Sequence, residues 1–98
     1  MSNYEIQPYT YKKLKELNKK LQENLTIFPS KNKKYKIDVY NNKNTFLFSI
    51  GAAQYEDYAQ YLKKYGKEYA DERKLLYYKR HKNYPKYTKG FISSYLLW

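Results

Sequence analysis

The segment YKIDVYNNKNTFLFSI (Tyr35–Ile50) decides the fold class of this chain. Tyr35, Ile37 and Val39 alternate with Lys36, Asp38 and Tyr40, and after Asn41–Asn44 the alternation resumes at Phe46, Phe48 and Ile50. Strand side chains point to opposite faces with a period of two, so each run reads as a strand with one apolar face. The asparagine-rich link tolerates the positive φ angles of tight turns, and the two runs therefore read as a β-hairpin. A lone hairpin is marginal in water. The face made by Tyr35, Ile37, Val39, Phe46, Phe48 and Ile50 must be covered.

Helical patterns on both sides supply the cover. Tyr11, Leu14, Leu17, Leu21 and Leu25 recur three or four residues apart, one stripe of an amphipathic helix, with Pro8 suited to its first turn. That helix should stop before Pro29, in a loop over Phe28–Asn32. Beyond Gly51, the residues Tyr58, Tyr61, Leu62 and Tyr65 fall at helical spacing, with Asp57 as the N-cap and Gly66 as the C-cap. A longer helix should run over about 67–82, acidic first and basic last, with Tyr69, Leu75, Leu76, Tyr77 and the stem of Arg80 as its apolar face. After Tyr84-Pro85 and Gly90, the residues Phe91, Ile92, Tyr95, Leu96 and Trp98 form a short helix expected to dock in the core or in a partner. The fold class is α+β: one domain over 1–98, an N-terminal amphipathic helix, one β-hairpin, then two to three helices packed over the hairpin face.

Composition narrows the function classes. The 15 tyrosines carry much of the apolar content, and each brings a hydroxyl that wants a partner or water. The net charge is +11, and 18 of the 20 basic residues are lysine, a mobile point charge suited to phosphate fields rather than to base edges. An AT-rich coding sequence enriches Lys, Asn and Tyr together, but it does not remove acidic residues. With no cysteine, disulfides and thiolate metal sites are excluded. No apolar run approaches the ~20 residues of a membrane span, so no membrane partner is expected. The start, MSNYEIQPY, has no apolar stretch of the secretory kind.

Charge segregation is the sharpest feature. After Glu72 the remaining 26 positions hold no acidic residue. They hold Arg73, Lys74, Lys79, Arg80, Lys82, Lys86 and Lys89, with His81, interleaved with Tyr77, Tyr78, Tyr84 and Tyr87. Cations among aromatics suit a phosphate-bearing polymer with stackable bases, DNA or RNA, gripped without regard to sequence. A second basic cluster, Lys31, Lys33, Lys34 and Lys36, leads into the hairpin. The alternatives are an acidic protein surface and a solvated helix end with its tyrosines packed inward.

Catalysis finds little support. His81 is the sole histidine, so neither a zinc site nor a nucleophile–base pair has its second member. Asp57, Glu68, Asp71 and Glu72 are explained by capping and by pairing with Arg73 or Lys74, without a magnesium ion. With three glycines there is no phosphate-cradling loop, and no cofactor is expected.

Three pieces in the second half carry a resemblance: SIGAAQYEDY (Ser49–Tyr58), YADERKLLYYKRH (Tyr69–His81) and GFISSYLLW (Gly90–Trp98). In this order they resemble a family of small basic proteins of nucleocytoplasmic large DNA viruses, matched over roughly 34–98, with 1–30 as a helical extension. Lys74-Leu75-Leu76 stands where that pattern has more arginine. The resemblance implies a viral setting: host cytoplasm, viral factory or the virion. It implies an accessory or virion protein, and the rival roles are a minor capsid protein wedged between larger subunits or a small subunit of a viral transcription or translation assembly.

Overall fold

The computed structural model describes residues 3–81, 84–85 and 87–98, which leaves Lys82 and Lys86 outside the described residues. The chain is α+β, with four helices and a three-stranded antiparallel sheet of order β1-β2-β3 among the described residues. Among the described residues no helix is long and apolar enough to cross a membrane.

Helix α1 (Pro8–Leu21) begins on proline, whose missing N–H would have no partner in a first turn anyway. It ends four residues before Leu25, because Gln22 turns left-handed at φ 55. The Asn18 side chain then grips Leu25 from both sides, donating to its carbonyl at 3.0 Å and accepting its N–H at 2.8 Å. Leu17, Leu21 and Leu25 are buried, whereas Tyr11 is exposed, so the buried stripe is narrower than the periodic one.

The expected loop at Phe28 contains a strand. β1 (Thr26–Pro29) pairs with β2 (Tyr35–Tyr40), Ile27 opposite Val39 and Pro29 opposite Ile37. Proline sits there without loss because it ends an edge strand. β3 (Phe46–Ala52) pairs Ile50 with Ile37 and Phe48 with Val39, then slips so that Phe46 meets Tyr40. The slip corrects the sequence reading of Phe46. One extra residue on β3 turns Phe46 to the opposite face, where Phe28, Tyr40 and Phe46 meet edge to face at 5.6 and 5.7 Å. The inner face packs Ile27, Ile37, Val39 and Ile50 into one cluster with Leu17, Leu21, Leu25, Ile92, Leu96 and Leu97.

Two charges on the outer face are buried, against the simple alternation. Asp38 accepts Ser30 Oγ at 2.7 Å, Ser49 Oγ at 2.5 Å and the Lys31 N–H at 3.0 Å. Burial works to raise its carboxyl, but these hydrogen bonds outweigh burial and hold it below the ordinary carboxylate value. Lys36 sends Nζ to Asp57 Oδ2 at 3.1 Å and to Gln60 Oε1 at 3.0 Å. Asp57 also accepts the Tyr4 hydroxyl at 2.6 Å and the Gln60 N–H at 3.0 Å, while Gln60 Oε1 accepts the Asp57 N–H. This reciprocal capping box starts α2 (Tyr58–Tyr65).

Gly66, at φ 91, ends α2 and opens α3 (Lys67–Arg80) in one step. Asp71 clamps the two helices, taking the Tyr58 hydroxyl at 2.7 Å and Lys67 Nζ at 2.8 Å, so its partner is Lys67 and neither Arg73 nor Lys74. The expected apolar face of α3 is corrected too. Leu75 and Leu76 are 60% and 43% exposed, and Ala70 is the buried residue of the helix. Helix α4 (Lys89–Leu97) starts under a Thr88 hydroxyl that accepts the Phe91 N–H. Ile92 and Leu96 are buried in the core, and Phe91 and Tyr95 pack against it.

These positions separate two leucines that look alike in sequence. Leu96→Ala should cost about 2–5 kcal/mol in denaturant unfolding, because it empties a fully buried site. Leu75→Ala, on the exposed side of α3, should stay within about 0.5 kcal/mol. A comparable loss at both positions would contradict the packing described.

Candidate functional site

Arg73, Tyr77, Arg80 and His81 stand at intervals of four, three and one along the chain, so the 3.6-residue period carries them onto one face from α3 to its C-cap. That face forms one wall of a cleft of about 490 Å³. Leu97 and Trp98 close it at the end of α4, Tyr61 comes from α2, and Lys36, Gly51 and Ala52 come from the sheet. The turn between β3 and α2 adds Tyr55, Glu56 and Asp57. Gly51 is required at this wall: its φ is +74, and a Cβ there would lie 2.7 Å from Leu97 Cδ1.

Three rings build a continuous stack. Trp98 lies on Tyr77 with centroids 4.5 Å apart and planes 11° apart, and His81 lies on the other side of Tyr77 at 4.1 Å and 16°. His81 Nδ1 is 3.0 Å from the Tyr77 carbonyl. A carbonyl only accepts, so Nδ1 carries the proton and Nε2 is the nitrogen left for a ligand. The Tyr77 hydroxyl shares a hydrogen bond with Ser94 Oγ at 2.7 Å, and burial pushes its phenol above the ordinary value. The stack therefore stays uncharged at Tyr77 under neutral conditions.

The charge of the cleft is set by what its acids already hold. Asp57 is engaged by Lys36, Tyr4 and Gln60, and Glu56 Oε2 lies 3.1 Å from Lys64 Nζ. Among the described residues no carboxylate pairs with Arg73 or Arg80. The Arg73 guanidinium lies 5.4 Å above the Tyr61 ring, and its buried Nε has no hydrogen-bond partner among the described residues. Two guanidiniums and a histidine edge thus meet in one aromatic recess.

Lys74, Lys79 and Lys89 do not line the cleft, and Lys82 and Lys86 lie outside the described residues. Lys74 Nζ sits 5.2 Å over the Tyr58 ring, and Lys79 is exposed at the end of α3. Lys89 Nζ lies 5.3 Å over Tyr35, which sets it beside the strand that follows the exposed Lys31, Lys33 and Lys34. Of the C-terminal apolar residues, Trp98 reaches the cleft, while Tyr95 is covered by Lys13 Nζ at 4.2 Å. Among the described residues no three histidine, cysteine or acidic groups cluster as metal ligands. Sequence reasoning found Arg73, Arg80 and His81 by charge segregation and Lys36 in the second basic cluster, but missed Tyr55, Tyr61 and Gly51 as parts of the same recess. The spacing of Arg73, Tyr77, Arg80 and His81 was the available signal.

No protein-family model, curated protein or solved structure matches this chain.

Trp98 is the only tryptophan and therefore reports on the stack. Tyr77→Ala should shift its fluorescence to longer wavelength while the helical circular dichroism is retained. An unchanged emission spectrum would contradict the stacked arrangement.

Proposed function

We propose that this chain is a non-enzymatic nucleic-acid-binding protein that grips phosphates through Arg73 and Arg80, supported by the lysines around them. The observation that carries the reading is the unpaired state of those two guanidiniums among the described residues, inside a recess of aromatic rings. The total charge of +11 adds a long-range attraction to any polyanion. His81 contributes a ring face and one nitrogen edge, which suits binding. The setting that fits this reading is viral: host cytoplasm, a viral factory or the particle itself.

A second reading, a minor structural protein of a viral particle, is favoured by a different surface. Phe28, Phe46 and Leu47 are 53%, 50% and 40% exposed beside Tyr40 on the outer face of the sheet. A wedge between larger subunits would use that face rather than the C-terminal helix, whose apolar residues are already in the core.

Salt dependence tests the first reading. For about five phosphate contacts on duplex DNA, log K against log salt should fall with a slope near −4 to −5. Replacing Arg73 and Arg80 together by Gln should make that slope shallower by up to about two units and weaken all sequences alike. Absence of binding at about 50 mM salt, where such contacts are strong, would overturn the reading.

A further inference from the structure

We propose that the cleft is a subsite for one unpaired base, so that the protein prefers single-stranded nucleic acid to duplex. This rests on the nucleic-acid reading above and adds a ligand class to its site. Phosphate binding by itself needs cations on a surface, and the lysines of this chain already provide them. What it does not need is a recess lined by Tyr55, Tyr61, Tyr77 and Trp98.

The recess suits a base in size and in chemistry. Its volume of about 490 Å³ lies within the range of small-ligand sites. A double helix offers it nothing but phosphates, because the faces of paired bases are covered by their neighbours. An unstacked base brings an open π-face, and aromatic side chains take such faces with little regard to sequence. The stack of Trp98, Tyr77 and His81 is nearly parallel, and both faces of Tyr77 are used within it. A base that extends the stack lies on the outer face of His81, since the Trp98 ring already has Tyr77 at 4.5 Å and Tyr61 at 6.0 Å. His81 Nε2, the ring nitrogen not engaged by the Tyr77 carbonyl, is the one left to bond the base edge. Arg73 and Arg80 then take the flanking phosphates.

Tyr55 completes the subsite from another wall. It lies on the turn between β3 and α2, is 66% exposed, and its side chain has neither a ring partner nor a hydrogen-bond partner among the described residues. A ring with no role in packing, at the mouth of a cleft of rings, is placed to cover the second face of a base. An acidic peptide would use the two arginines but leave the exposed ring of Tyr55 without a partner.

Charge alone cannot produce the preference. Duplex DNA carries the denser phosphate field and gives the steeper counterion-release slope, about 0.9 per contact against about 0.7 for a single strand. Any advantage of a single strand must come from its bases.

The test uses the full chain, a labelled oligothymidylate of about 12 nucleotides and a blunt duplex of the same length, at about 50 mM salt, where the electrostatic contacts are strong. The single strand should bind about 5- to 150-fold more tightly than the duplex and quench Trp98, as stacking of one base implies. Tyr55→Ala should lower single-strand affinity by at least about 5-fold, leave duplex affinity and the melting temperature unchanged, and be rescued by Tyr55→Phe. Equal affinity for the two nucleic acids, or a Tyr55→Ala variant that loses nothing, would overturn the inference and leave the phosphate reading standing. Failure to bind either would overturn both. Quenching of Trp98 by polyglutamate but not by oligothymidylate would assign the cleft to an acidic protein instead.

Discussion

The ion pair between Lys36 and Asp57 is the contact on which the remaining architecture depends. Both side chains are almost fully buried, and their atoms meet at 3.1 Å. Removing two charges from water is expensive, and such a pair holds only where further hydrogen bonds satisfy it. Here Tyr4, Gln60 and the first turn of α2 supply them. Burial pulls the Lys36 ammonium below its ordinary value, and the Asp57 charge opposes that pull. One carboxylate thereby fixes the central strand, the start of α2 and the N-terminal segment at a single point. Lys36 and Asp57 also line the cleft, so the same pair sets the position of the turn that carries Tyr55.

Tyrosines surround the aliphatic core of this chain and tie its elements together. The hydroxyls of Tyr4, Tyr9, Tyr58 and Tyr87 all reach acceptors far along the chain: Asp57, the Trp98 carbonyl, Asp71 and the Leu21 carbonyl. Each ring contributes apolar area while its polar tip ties two elements together. Burial, helped by the nearby Tyr58, Tyr78, Glu16 and Asp71, pushes the Tyr9 phenol up to about 12, so it remains a donor across the neutral range. The same residue type supplies both the ties and the ring surfaces of the cleft. A tyrosine-rich composition is thus consistent with a small core and a stacking site in one molecule.

Local signals in the sequence were readable, and long-range ones were not. The hairpin, the Asp57 cap and the Gly66 break rest on neighbouring residues, and each stands where its pattern placed it. β1 was hidden because four residues ending in proline look like a breaker, although an edge strand accepts them. Phe46 follows strict alternation in sequence, yet one inserted residue turned it to the other face. Burial of Lys36 and Asp38 depends on partners 21 and 8 residues away, which alternation does not encode. The cleft was legible in part. Loss of acidic residues after Glu72 singled out Arg73, Arg80 and His81, whereas the stacking of Trp98 on Tyr77 joins two helices and has no local signature.

The role given to the Lys36–Asp57 pair is tested most directly by a double-mutant cycle in denaturant unfolding, with Lys36→Met, Asp57→Asn and the two combined. Methionine keeps the aliphatic stem and asparagine keeps the capping oxygen, so the cycle isolates the charges. Each single substitution should cost about 3–5 kcal/mol by leaving an uncompensated buried charge. The double variant should be more stable than the sum of the two losses predicts, by about 0.5–3 kcal/mol. Single losses under about 1 kcal/mol that simply add would show that the pair is incidental to the fold.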